Sequence, residues 1–172
     1  MPGQRSDRHA GRPTSAVHPG VVVDVETSLR DALPGDAAEL TSLLLRSRTR
    51  AMPWLVSPHD ELATRWWMEH VLRTEQCVRV ADGGSRLLGF AAVTDTWLEQ
   101  LYVDPDHQGH GVGRPLLEDA KRLRPGGLRL HVFTRNAPAR RFYEAHGFDL
   151  VKQSDGHDNE ECEPDCTYAW TR

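Results

Sequence analysis

The stretch that most constrains this chain is Leu101-Tyr102-Val103-Asp104-Pro105-Asp106-His107-Gln108-Gly109-His110-Gly111-Val112-Gly113, an apolar strand running into a glycine-rich turn. Pro105 ends the strand, because proline cannot donate to a central ladder. A helix opens at Val112, with Leu116, Leu117 and Ala120 on one face. A helix start points free backbone N–H groups outward at the positive end of the helix dipole, so the turn is suited to an anion. Gly111 and Gly113 let the backbone close on that anion, where a Cβ would intrude. Two other phosphate loops do not fit. A P-loop needs Lys followed by Ser or Thr after its last glycine, and Arg114-Pro115 follow here. The dinucleotide fingerprint spaces its glycines G-x-G-x-x-G on a first strand, whereas Gly109, Gly111 and Gly113 step by two and lie late in the chain. The residues alone describe a phosphate or pyrophosphate cradle.

The flanking sequence supplies a mixed frame. Residues 1–20 are rich in Pro, Gly, Arg, His and Ser without apolar periodicity, which predicts a disordered tail and a folded domain over 21–172. A first strand is expected over 21–30, then a turn at Pro34-Gly35 and a helix N-capped by Asp36, with Leu40, Leu43 and Leu44 inward. A loop holds Trp54. A second helix starts near Asp60, with Leu62, Trp66, Met68 or Val71, and Leu72 as its stripe. Strands follow over 77–81, 87–94 and 97–103, the first two joined by a hairpin at Asp82-Gly83-Gly84. After the glycine loop and its helix come a strand at Leu128–Phe133, a helix over 136–146 stopped by Gly147, and strands over 148–152 and 167–170. This order implies a single α/β (α+β) domain with hairpins on one side and crossover helices on the other.

Composition narrows the function. The 172 residues suit one domain, and a net charge of -4 leaves no basic stripe for nucleic acid. No apolar run reaches the ~20 residues of a membrane span. No apolar stretch follows Arg5, Arg8 and Arg12 before Val21, so no secretory signal is read and a cytoplasmic protein is expected. Three cysteines, Cys77, Cys162 and Cys166, are too few and too odd for a disulfide scaffold. His157, Cys162 and Cys166 lack a fourth ligand and tight spacing, so no metal is expected.

With Gln108-x-x-Gly111-x-Gly113 following an apolar strand, and Asn136-Ala137-Pro138-Ala139-Arg140-Arg141-Phe142-Tyr143-Glu144-Ala145-His146-Gly147-Phe148 downstream of it, the chain resembles the GNAT N-acetyltransferase superfamily. The first segment resembles that family's Q/R-x-x-G-x-G/A signature and the second its N-x-x-A-x-x-F-Y-E-x-x-G-F segment, one helix and one strand apart. The resemblance spans about residues 23–170. It implies a largely antiparallel sheet, splayed near the cofactor and flanked by helices. It also implies acetyl-CoA as cosubstrate and direct transfer of the acetyl group to a primary amine. Backbone groups of Leu101, Tyr102 and Val103 would hold the pantetheine arm, with a bulge exposing them. The amides of Gln108, Gly109, His110, Gly111, Val112 and Gly113 would hold the pyrophosphate. Asn136 would contact the pantetheine arm, besides capping its helix, and Tyr143 would protonate the leaving thiolate.

Direct transfer needs a neutral amine, so a base or a desolvating pocket is required. Glu99, on the strand before the loop, reads either as that base or as a solvated strand residue; Glu26 and His107 are weaker candidates. Trp54 and Trp66, with Trp67, fall in the helix-loop-helix region that lines the family's acceptor pocket, and read either as aromatic walls or as core and loop packing. Glu160 and Glu161, in the last polar loop, read either as partners of a cationic substrate or as solvated charges. Gln100 and Tyr102 face the acceptor or not, depending on strand register. The expected acceptor is a small-molecule amine. A protein or peptide N-terminus or lysine, which would want a wide groove, stays open. So does a non-turnover CoA-sensing domain, which would have no need of Tyr143. Dimers are common in the family, leaving a homodimer open.

Overall fold

A computed structural model describes residues 27–72, 74 and 77–172. The expected tail, the start of the first strand and Glu26 lie outside the described residues. The elements follow the expected order: β1 (Ser28–Asp31), α1 (Ala37–Ala51), α2 (Glu61–Val71), β2 (Cys77–Asp82), β3 (Leu87–Val93), β4 (Leu98–Val103), α3 (Gly113–Leu123), β5 (Leu128–Phe133), α4 (Ala137–Ala145), β6 (Asp149–Ser154) and β7 (Asp165–Trp170).

Strands β1-β2-β3-β4 form one antiparallel sheet and β5-β7-β6 a second. The sheets meet where Trp97 bridges Arg129 in parallel, with Arg129 N–H donating to Thr96 O at 2.8 Å. Beyond that bridge no ladder joins β4 to β5 among the described residues, so the strands part. The register of β3 against β4 shifts just there. Ala92 faces Gln100 while Val93 faces Leu98, which makes Glu99 the extra residue of a bulge.

Strand β3 is buried along its whole length because both faces are covered. Leu87, Phe90 and Ala92 pack under α1 and α2 with Leu40, Leu43 and Met68. Leu88 and Ala91 pack with Leu116, Leu117 and Ala120 of α3. A Cβ on Gly89 would sit 2.8 Å from the Tyr102 carbonyl oxygen and 3.0 Å from Leu116 Cδ1, so a glycine here brings α3 down onto the sheet.

Two local expectations need correction. Asp36 precedes α1 but makes no capping bond; a 3-10 turn over Pro34–Asp36 intervenes. Its carboxylate instead accepts from Leu33 N–H and from Arg30, both at 2.8 Å. In α2 the inward face is Thr64, Met68 and Val71, whereas Leu62 and Trp66 are exposed. Asp60 does cap this helix, accepting from Ala63 N–H at 2.7 Å, and Gly147 ends α4 with φ 81°. No helix among the described residues is long and apolar enough to cross a membrane.

Candidate active site

The parting of β4 from β5 leaves a cleft of about 510 Å³ floored by Leu101, Tyr102 and Val103 and closed by α4 through Asn136, Phe142 and Tyr143. The glycine loop forms its rim. Gly109 and Gly111 take φ of 78° and 84°, a backbone that L side chains rarely adopt, and this reversal is what turns the loop onto the start of α3. Gln108, Gly109, Gly111, Val112 and Gly113 line the cleft. His110 does not line it; its ring Nδ1 sits 3.0 Å from Gln108 O on the exposed side. A Cβ at Gly113 would make ordinary contact with the Phe142 ring at 3.4 Å. Gln108 turns inward, donating to Val103 O at 3.2 Å.

Asp104 anchors the loop from behind. It is 1% exposed, pairs with Arg46 of α1 and accepts from Asp106 N–H at 3.0 Å. Burial opposes its charge, but Arg46, that backbone N–H and His107 together hold its carboxyl below the usual range. His107 Nδ1 lies 3.4 Å from Asp104, and the ring borders this same cleft.

Tyr143 stands where this cleft meets a second one of about 500 Å³, and lines both. It is 8% exposed, packed edge-on against Phe142 and Phe148, and its hydroxyl has no hydrogen-bond partner among the described residues. Burial, with a contribution from Tyr102, pushes this hydroxyl well above the ordinary phenol range. It therefore stays protonated at neutral pH, as a donor that lacks an acceptor. Asn136 borders both clefts while Oδ1 accepts from Ala139 N–H at 3.3 Å.

The second cleft carries the acidic side chains. Glu99, placed by the bulge, is exposed and accepts from Thr94 Oγ1 at 3.1 Å. Asp158, Glu161 and Asp165 share its wall with Lys152. Glu161 is not free, because Arg48 of α1 donates to it at 2.8 Å. Glu161 and Gln100 also border a third cleft, of about 400 Å³, where Trp66, Trp67, His59 and Glu160 meet. There Glu160 sits 3.0 Å from His59 Nε2, and Trp66 stacks on His70 while staying 70% exposed. Trp54 reaches none of the clefts. It packs edge-on against Phe133 under the Arg135 guanidinium.

Two residues that sequence reasoning missed stand in the second cleft: His131 on β5 and Thr167 on β7. The signal was present, since β5 alternates buried and exposed and His131 falls at an exposed position. The cysteines contribute nothing to these clefts. All three are free thiols, and among the described residues no group of His, Cys, Asp and Glu could hold a metal ion.

The splayed sheet, the glycine loop at a helix start and the donor facing both clefts define an acyltransferase-like site, and the comparisons with known proteins agree. A family model described as an acetyltransferase (GNAT) domain matches residues 73–150. The solution structure of apo YjaB from Escherichia coli superposes with a TM-score of 0.66 at 27% identity, covering 84% of this chain and 97% of that one. YncA from Salmonella typhimurium, solved with its cofactor acetyl-CoA, gives 0.62 at 22% identity, over 83% and 91% of the two chains, and so shares the fold. The peptidyl-lysine N-acetyltransferase YjaB of Salmonella typhimurium is 37% identical over 71 residues, 41% of this chain and 48% of its own, so the match spans about half of that relative. Residues 73–150 thus match a GNAT acetyltransferase domain, and the chain shares its fold with solved members of that superfamily.

Proposed function

We propose that this protein is an acetyl-CoA-dependent N-acetyltransferase acting on a primary amine by direct attack, and the observation that carries the reading is Tyr143. A buried phenol hydroxyl with no protein acceptor, standing where two clefts meet, is a proton donor waiting for a ligand atom. The cofactor-side residues fit a nucleotide pyrophosphate that carries a long thiol-ended arm. The backbone of Gln108 to Gly113 would hold its pyrophosphate at the start of α3, with His110 contributing only its amide. The parted edge of β4 at Leu101, Tyr102 and Val103, facing Asn136 of α4, would hold its extended arm. When bound, the cosubstrate supplies an activated acetyl thioester. Tyr143 then gives its proton to the departing sulfur. The acidic wall of Glu99, Asp158 and Asp165 draws a cationic amine into the second cleft.

The small-molecule amine expected from the sequence remains one reading of the acceptor. A second is favoured by geometry. The acceptor cleft and the third cleft, lined by Trp66 and Trp67, share Gln100 and Glu161 in their walls, an arrangement that suits a lysine side chain carried on a peptide. The name of the YjaB relative, a peptidyl-lysine N-acetyltransferase, points the same way. Thiol release from acetyl-CoA, measured with a panel of polyamines, aminoglycoside-type amines and lysine peptides, tests the proposal. Peptide turnover with kcat/KM well above every small amine selects the second reading; CoA binding without release in any case rejects both in favour of a sensing domain.

A further inference from the structure

We propose that His131 takes the proton of the acceptor amine, a role for which Thr167 and Trp97 hold its ring; this rests on the transferase reading above. His131 lies on β5 two residues past the Trp97–Arg129 bridge, at the point where β5 leaves β4 and the acceptor cleft opens. It shares that cleft with Tyr143, so the base and the acid border the same space. Trp97 stacks on the imidazole with centroids 4.6 Å apart and planes 20° from parallel, which fixes the ring plane. His131 pairs with Thr167 across β5 and β7, and its Nδ1 lies 3.3 Å from Thr167 Oγ1. With Nδ1–H donating to that hydroxyl, Nε2 carries the lone pair, and Nε2 has no partner among the described residues. The charged groups that share the cleft with it are Glu99 from β4, Lys152 from β6, Asp165 from β7, and Asp158 and Glu161 from the loop between β6 and β7. Glu99, the base nominated from sequence, is the poorer candidate, because its carboxylate already accepts from Thr94 Oγ1.

The proton count closes. The acceptor enters as an ammonium and leaves as an amide N–H, so two protons pass from nitrogen through His131 Nε2 to solvent in the open cleft. The nitrogen lone pair forms the C–N bond while the C–S bond breaks, and one proton enters from solvent through Tyr143 to sulfur. The net release is one proton.

The experiment compares wild type, His131→Gln and His131→Ala for CoA binding, kcat and KM against pH, alongside the imidazole C–H resonances of the resting protein by NMR. The expected result is a kcat lower by about 10²-fold in His131→Gln with CoA affinity unchanged, and loss of the rising limb of the wild-type pH profile. The His131 resonance titrates at the pH of that limb, and added imidazole restores turnover to His131→Ala. A kcat within about threefold of wild type, a limb that survives the substitution, or a His131 resonance that titrates elsewhere overturns the proposal and leaves the transferase reading standing. Wild type that binds CoA and turns over no amine overturns both.

Discussion

The two clefts that meet at Tyr143 are built by opposite means. The cofactor-side cleft draws about half of its lining from one continuous run, Leu101 to Arg114, with α4 and the end of α1 supplying the rest, and Gly109 and Gly111 in that run take positive φ. The acceptor-side cleft is made of side chains brought in from β4, β5, β6, β7 and the loop between β6 and β7, and an ion pair ties that loop to α1. A ligand shared across a superfamily can be held by main chain, which any sequence supplies. An acceptor that differs from member to member must be read by side chains, and these lie on separate segments. Substitutions should therefore act on one cleft or the other, except at the junction.

Tyr143→Phe sits at that junction and carries the largest effect. It keeps the ring packing against Phe142 and Phe148 and removes only the hydroxyl. Loss of a positioned acid lowers kcat by roughly 10²–10³-fold, with CoA affinity and thermal stability nearly unchanged. Steady-state thiol release at saturating acetyl-CoA measures it, and an unchanged kcat would sink the acid assignment. Burial raises the folded-state affinity of this phenol for its proton, so its contribution to stability is fully present below the unfolded value near ~10 and is lost as pH rises beyond it. Wild type should accordingly lose stability above pH ~10 more steeply than the Phe variant. Asp104→Asn tests the cofactor side alone. Arg46 is half exposed and water takes over its charge, so losing the charged acceptor behind the loop should cost about 2 kcal/mol by denaturant unfolding and weaken CoA binding. Because the folded Asp104 carboxyl is held low, the stability it supplies is present above pH ~4 and disappears as pH falls through that lowered value; the Asn variant should lack this acid limb. Next in size is Gly111→Ala. A Cβ there meets no neighbour but is strained at φ 84°, costing about 1 kcal/mol and raising the CoA Kd up to about tenfold, while acceptor KM stays constant.

The cofactor half was the legible half. Its strand, glycine turn and helix occupy consecutive residues, so local signals sufficed, and β5 was found at its observed bounds because it alternates strictly. Even here one neighbour was out of reach of local signals: a Cβ at Gly113 would meet the Phe142 ring of α4, which only tertiary structure reveals. In α2 the weight of Leu62 and Trp66 drew the stripe to the wrong face, although Thr64, Met68 and Val71 already carried helical spacing. The acceptor side was opaque because its pairs are distant in sequence. His131 and Thr167 lie 36 residues apart and meet only through strand register; Arg48 and Glu161 lie 113 apart and meet only when α1 crosses toward the loop between β6 and β7. Trp54 illustrates the converse, for its place in the right segment gave no warning that Phe133 and Arg135 would occupy its ring.

The smallest expected effect tests the acceptor half in isolation. Arg48 and Glu161 are 25% and 17% exposed and join α1 to the loop between β6 and β7 where the acceptor cleft passes into the third one. Neither residue lines the cofactor-side cleft. A pair this sheltered is worth more than a fully solvated one, yet water still reaches it, so a coupling of about 1 kcal/mol is expected from the cycle of Arg48→Met, Glu161→Gln and the double variant. The His59–Glu160 pair, with both side chains more than half exposed, should couple far more weakly. Releasing the tie should raise the acceptor KM a few-fold, more for an extended acceptor that spans both clefts than for a compact amine, and leave the CoA Kd where it was. A change in CoA affinity equal to the change in acceptor KM would break the division between the two clefts, because the loop between β6 and β7 would then be shaping both.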